Sequence, residues 1–203
     1  MKTKIVSIKG TWREVLDRCR FTQGKEPLNK EPSKEFKQAI LLTEHSPIRS
    51  IWFSWLWERI PHWVGVHWVR HKWEPLVRTQ REDKTGIPRD SLSQAEPQEF
   101  WGEANVQHLI DTMRKRLCFQ SSPETRAYAE SLKREIAEVE PEIAGVLVPN
   151  CIYRCGCPEM SPCPYNGTKA GFFHRAISWD LECGSSNLQK RYDAYERFFK
   201  EGR

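Results

Sequence analysis

The segment from Ile40 to Arg81 constrains this chain more than any other. Six of the nine tryptophans fall between Trp52 and Trp73, and an Arg70-His71-Lys72 triplet lies within the same run. Tryptophans bury large apolar areas and dominate the cores that contain them. The fold must therefore set a packed aromatic element directly beside a group of cations and hydrogen-bond donors. Apolar framing around convergent positive charge is what an anion-binding pocket needs. A solvated basic face beside an aromatic core has the same spacing, so spacing alone leaves both readings open. In a helix, Arg70, His71 and Lys72 would fan too widely to face one small ligand. Arg78 and Arg81 are three apart, which favours a shared face if that stretch is helical. Arginine forks bind phosphate bidentately.

Bulk composition limits the class. The chain has 203 residues, 38% hydrophobic and 29% charged, the balance of a globular domain and not of a disordered one. The formal net charge is +5. That suits a protein that binds anionic small molecules and equally a weak nucleic-acid binder, but no long basic tract stands out. No apolar run is long enough for a membrane span. The apolar part of the N-terminal MKTKIVSIKGTWREV is too short for a signal peptide. A cytoplasmic protein with no membrane partner is expected.

Several elements announce themselves locally. Residues 3–8 read as a first strand. Thr11 and Glu14 have the spacing of a capping box that opens a short helix. Ser33 is placed to cap a helix over Lys34–Leu42. Residues 51–57 read as a strand rich in tryptophan, broken by Pro61, and Trp63–His71 as a helix. Residues 82–98 read as a loop. Helices are expected over Glu99–Phe119 and Ser122–Val139, the second with Pro123 at its first position. Further helical regions are expected at about 170–181 and 186–199. The expectation is one domain over residues 1–203, with a Cys-rich insertion or rebuilt loop at about 149–168.

That loop holds Cys151, Cys155, Cys157 and Cys163, a C-x3-C-x-C-x5-C pattern, out of seven cysteines in all. An odd count in a chain of this class argues against a disulfide scaffold. Four thiols in a Gly- and Pro-rich loop can wrap a zinc ion or, alternatively, an iron–sulfur cluster. A redox dithiol and a set of plain reduced thiols remain open as well. Cys183 and His174 are additional candidate ligands. Cys19 and Cys118 read as core thiols.

The order Arg70-His71-Lys72, six residues, then Thr79-Gln80-Arg81-Glu82 resembles the signature of the flavin-dependent thymidylate synthases: Arg-His-Arg, seven residues, then Ser-x-Arg-Tyr. The approach through His45-Ser46-Pro47, the aromatic strand with its proline-bearing turn, and the Ala144-Gly145-Val146-Leu147-Val148-Pro149 run are also similar to that family. The resemblance covers about residues 40–150. It implies an α+β fold, a central mostly antiparallel sheet with flanking helices, and a homotetramer. It places Arg70, His71, Lys72, His67 and His45 against FAD. It places Arg78, Thr79, Gln80, Arg81 and Arg175 against a pyrimidine deoxynucleotide, with Arg81 and Thr79 in the catalytic role. The sequence departs from the pattern at Lys72, at Glu82, at Gly145 where the family has an arginine, and in a spacing one residue short.

The implied activity is methylation of deoxyuridylate, with methylenetetrahydrofolate as one-carbon donor and NADPH as reductant. Two other readings stand beside it. One is a pyrimidine-nucleotide enzyme or binder of the same fold with changed or lost flavin chemistry. The other is a nucleic-acid-binding protein with a Cys-rich metal module, in which interleaved tryptophans and cations stack bases and hold phosphates. The absence of a long basic run speaks against that last reading.

Overall fold

The structure, a computed structural model, describes residues 2–160, 163 and 187–201. Arg175, His174, Cys183 and the helix expected near 170–181 lie outside the described residues.

Four strands form one antiparallel sheet in the order β1-β2-β4-β3. They are β1 (Lys2–Lys9), β2 (Trp52–Pro61), β3 (Leu76–Val77) and β4 (Pro97–Asn105). Strand β2 is central and carries the aromatic run. Phe53, Trp55 and Trp57 alternate along it, point to one face and are fully buried. Their partners on β4 are Ala104, Gly102 and Phe100. Paired residues in an antiparallel ladder share a face, so a small residue opposite Trp55 leaves room for its ring.

Helices cover this face. They are α3 (His62–Trp68), α5 (Val106–Arg116) and α6 (Pro123–Val139), joined by the short α7 (Pro141–Gly145) and α8 (Asn150–Arg154). Trp57 is the hub. Its ring lies 4.7 Å from that of Trp68 at the end of α3, 5.2 Å from Phe100 on β4 and 5.5 Å from Tyr128 on α6. Trp73 stacks on Trp68 at 5.0 Å and meets Trp55 edge-on at 4.6 Å. Offset and edge-to-face pairs add to the area term. On the N-terminal side lie α1 (Trp12–Phe21) and α2 (Lys34–Leu42), and α4 (Glu82–Thr85) sits in the loop before β4. The last helix, α9 (Leu188–Glu201), packs on α7 and α8. Lys133 of α6, fully buried, ties α9 down by donating to the Glu196 carboxylate and to the Ala144 carbonyl. Among the described residues no helix is long and apolar enough to cross a membrane.

The local signals hold. Thr11 and Glu14 form the reciprocal capping box. Ser33 caps α2 at the expected residue, and α6 has Pro123 at its first position as expected, with Ser122 as its cap. Three expectations need correction. The helix expected from Glu99 is a strand as far as Asn105, and α5 begins only at Val106. Burial along β4 alternates, with Gln98, Phe100, Gly102 and Ala104 inside. Asn105 then turns the chain, accepting the His108 N–H as N-cap. The loop expected over 82–98 likewise contains α4 and the start of β4. In addition, α3 stops at Trp68, so Arg70, His71 and Lys72 lie in a turn and not on a helix.

Gly102 tests the packing. A Cβ at this position would stand 2.3 Å from Cζ2 of the Trp55 indole, and that ring is enclosed on all sides. Gly102→Ala is expected to cost about 1–3 kcal/mol through overpacking. Urea denaturation measures this directly, and an unchanged midpoint would mean the indole has space to retreat.

Candidate functional site

The end of α3 and the end of α5 meet beside the tryptophan cluster. His71 turns inward, and its Nε2 accepts a hydrogen bond from Nε of Arg116 at 2.7 Å. Arg116 also donates through Nη2 to the His67 carbonyl at 2.7 Å. His67 reaches α6, its Nδ1 lying 2.8 Å from Oγ1 of Thr125. The Thr125 hydroxyl also accepts from Ser122 at 2.8 Å. The His71 imidazole thus acts as an acceptor towards Arg116, the pattern of a neutral ring.

Electrostatics agree. Burial, then Arg116 and Lys115, push the His71 pKa down to about 4. Burial, Arg116 and Arg70 lower that of His67. Burial and the neighbouring Arg70 also work against the charge on Arg116. Arg70 and Lys72 are exposed. Among the described residues no carboxylate lies within ion-pair distance of Arg70, Lys72, Lys115 or Arg116, although the other cations of the chain include several such pairs. A half-buried guanidinium with cationic neighbours and no counter-charge is the environment that an anion stabilises.

A second region lies across β3, α4 and the start of β4. Arg78, Thr79, Gln80, Lys84, Thr85 and Gln98 line a cleft of about 370 Å³. This falls in the size range of small-molecule sites, about 300–1,000 Å³. Gln98 is buried, and its Nε2 has no hydrogen-bond partner among the described residues. A buried amide without a partner is costly, and here it borders a cleft that could supply one. Arg81 is turned elsewhere. Its guanidinium makes two 2.9 Å bonds to the Asp83 carboxylate in solvent, and its N–H bonds to the Thr79 hydroxyl at 3.2 Å. An exposed pair of this kind contributes little and can be exchanged for a ligand.

The expected site residues therefore separate into three places. Arg70, His71, Lys72 and His67 lie together beside Arg116. Arg78, Thr79 and Gln80 share the cleft, with Arg81 at its margin. His45, exposed at the entry to the Ser46–Ser50 turn, borders a different cleft between α1 and α2. Sequence reasoning missed Arg116 and Gln98. The run Arg114-Lys115-Arg116 was a signal for the first, although basic residues commonly end a helix for dipole reasons alone. Gln98 had no signal.

The cysteines are arranged differently from the loop quartet expected at 151, 155, 157 and 163. Cys155 is the left-handed C-cap of α8, with φ 53°. Cys118, just past α5, instead shares a cavity with Cys151, Cys157 and Cys163. Among the described residues no group of three or more His, Cys, Asp or Glu side chains is gathered closely enough to hold a single metal ion. Burial pushes the Cys151 thiol up to about 12, so as a bare thiol it is a poor nucleophile.

No family model matches the chain, and no curated protein shows significant sequence similarity to it. Solved structures do share its fold. A UMP/dUMP methylase, PolB from Streptomyces cacaoi bound with 5-Br dUMP, is 13% identical, with a TM-score of 0.58 over 71% of this chain and 93% of its own. Thymidylate synthase X (ThyX) from Helicobacter pylori, with FAD and dUMP, is 10% identical, with a TM-score of 0.60 over 72% of this chain and 99% of its own. At these identities the likeness shows the fold: a central antiparallel sheet flanked by helices, resembling that of ThyX.

The neutral state of His71 has a pH consequence. Its folded pKa lies below the unfolded value of 6.5, so the unfolded chain binds more protons between the two. The contribution is fully present above pH 6.5 and is lost as pH falls through about 4. With a half-exposed ring, the loss is expected on the order of 1–2 kcal/mol. Chemical denaturation at several pH values across that window, on the protein and on His71→Gln, measures it. Equal pH dependence in the two would remove His71 as the cause.

Proposed function

We propose that the protein is an enzyme acting on a pyrimidine deoxynucleotide with the help of a flavin. The observation that carries this reading is the cleft in which Arg78, Thr79, Gln80 and the unpartnered Gln98 amide come together. A pyrimidine ring offers carbonyl oxygens that an amide N–H can reach, and Arg78 and Lys84 offer charge to a phosphate. Thr79 and Arg81 keep the hydroxyl and the guanidinium that the resemblance assigns to nucleotide binding and catalysis. Arg81 reaches a phosphate by exchanging the exposed Asp83 carboxylate for it.

The flavin belongs to the cation group. Arg70, Lys72 and Arg116 would hold the pyrophosphate of FAD, whose two negative charges answer the missing carboxylate partner. His71 acts here as a positioning residue that orients Arg116 through its Nε2. When bound, the flavin supplies electron and hydride transfer. The finer reading is methylation of deoxyuridylate, with methylenetetrahydrofolate and NADPH as co-substrates, by a homotetramer. Similarity of fold to proteins described as a UMP/dUMP methylase and as ThyX supports it.

A second reading keeps the nucleotide site and drops or changes the flavin chemistry. Lys72 in place of an arginine favours it, because an ammonium supplies charge without a planar fork. Gly145 in place of the family's arginine favours it too.

Two titrations separate these readings. FAD binding is followed by flavin fluorescence on the protein and on the double variant Arg70→Ala/Lys72→Ala, whose exposed side chains leave the core untouched. A loss of about tenfold or more in affinity is expected, since each charge-assisted contact is worth about 1.5–3 kcal/mol. Calorimetry with dUMP is performed on the protein and on Gln98→Leu. That variant is expected to weaken dUMP about tenfold while leaving stability unchanged or higher, because it removes an unpaired buried donor. Binding of dUMP without saturable FAD binding would establish the second reading. Failure of both ligands to bind would reject the two together.

A further inference from the structure

Four cysteines from three separate stretches of chain face one cavity. Cys118 comes from the connection between α5 and α6, Cys151 from the first turn of α8, and Cys157 and Cys163 from the segment after it. Phe119, Pro149, Pro158 and Tyr195 add apolar surface to the lining, which Gln120 and Asn150 also join. The chain bends sharply to achieve this. Cys155 takes a left-handed conformation that is unfavourable for a non-glycine residue, and the Gly156 N–H closes the turn on the Cys151 carbonyl at 3.0 Å. The reversal returns Cys157 towards Cys151. Cys155 is not among the residues that line the cavity.

These sulfurs lie close enough to act on one another. The electrostatic partners of Cys118 are Cys157, Cys163 and the Glu159 carboxylate, and those of Cys151 are the other three thiols. The backbone N–H of Gln120 is directed at the Cys118 sulfur and that of Ile152 at the Cys151 sulfur. Backbone N–H donors to sulfur tune thiolate-bound metal centres. Soft donors in a water-poor cavity beside the Glu159 carboxylate select a thiophilic cation and reject phosphate or carboxylate ligands.

We propose that Cys118, Cys151, Cys157 and Cys163 are the four thiolate ligands of a metal centre. Among the described residues no three are gathered closely enough for one ion, and four thiols drawn from separate stretches of chain suit an iron–sulfur cluster better than a single zinc. A zinc ion draws four sulfurs to about 2.3 Å from one point, whereas a cluster spreads its cysteines over separate irons. Each thiol gives up its proton to solvent as the metal binds. The proposal stands on the cysteine cavity alone and does not depend on the nucleotide or flavin reading.

The test is elemental analysis of the full chain purified without oxygen. Iron, zinc and acid-labile sulfide are quantified together with the absorbance spectrum. Iron and sulfide in equal amounts are expected, with broad absorbance that survives removal of any flavin. The metal content should fall at least tenfold in Cys118→Ser and be kept in Cys155→Ser. Circular dichroism on both variants confirms that they fold, and reconstitution of the purified protein with ferrous iron and sulfide provides a measurement independent of the variants. One zinc per chain without sulfide, lost in Cys118→Ser, would keep the four-thiol site and overturn the cluster. Metal lost in Cys155→Ser but kept in Cys118→Ser would overturn the ligand set. No metal as purified or after reconstitution would overturn the site altogether.

Discussion

The contact between Trp57 and its ring neighbours is the constraint on which the rest of this molecule depends. One side chain on the central strand touches aromatic rings from α3, β4 and α6, and lies near the Trp73 ring beyond α3. Rings of this size have few rotamers, and a packed interior transmits displacement instead of absorbing it. The end of α3 is therefore fixed by the same cluster that fixes the sheet. Since Trp68 and Trp73 bracket residues 70–72, the cluster also determines where the cationic turn emerges. Core and site are in this sense one construction.

Charge is distributed with equal economy. Arg114, two residues from Arg116, is paired with Glu44 and lies over the Tyr153 ring. Lys133 is paired with Glu196. These cations work within the fold. Arg116 instead bonds to two groups that carry no negative charge, the His71 ring and the His67 carbonyl. Its orientation is held by neutral acceptors, and among the described residues no carboxylate lies within ion-pair distance of it. A donor fixed in this way can meet an external anion without first giving up an ion pair among those residues. Arg81, held by Asp83, follows the opposite principle, and its charge is released only by exchange.

What was legible in the sequence divides according to the range of the interaction. Thr11 and Ser33 cap their helices through atoms three residues away, and both could be read. Strand β4 could not. Gln98-Glu99-Phe100-Trp101-Gly102-Glu103-Ala104 contains no β-branched residue and includes several good helix formers. What makes it a strand is pairing with β2, some forty residues distant in sequence. Tertiary context overrode propensity there. For the same reason Arg116 escaped notice and Cys118 was read only as a core thiol, since the groups beside them lie more than thirty residues away. The cationic triplet was visible, but its division into an inward His71 and outward Arg70 and Lys72 depended on where α3 ends.

The two borders of the sheet differ in kind but agree in effect. At one border β1 carries Lys2, Lys4 and Lys9, and its ladder to β2 is interrupted between Ile5 and Ser7. At the other, β3 is only two residues long. A foreign strand approaching the first would meet charge and a break in register, and at the second would find almost no backbone to pair with. Both borders thus hinder extension along the hydrogen-bonding direction. The face opposite the tryptophans is different: there Leu56, Trp101 and Leu76 line up across three strands, and both Trp101 and Leu76 reach solvent. Growth by strand addition, the route to fibrils, is disfavoured at the borders of a sheet whose central strand would otherwise be well suited to it.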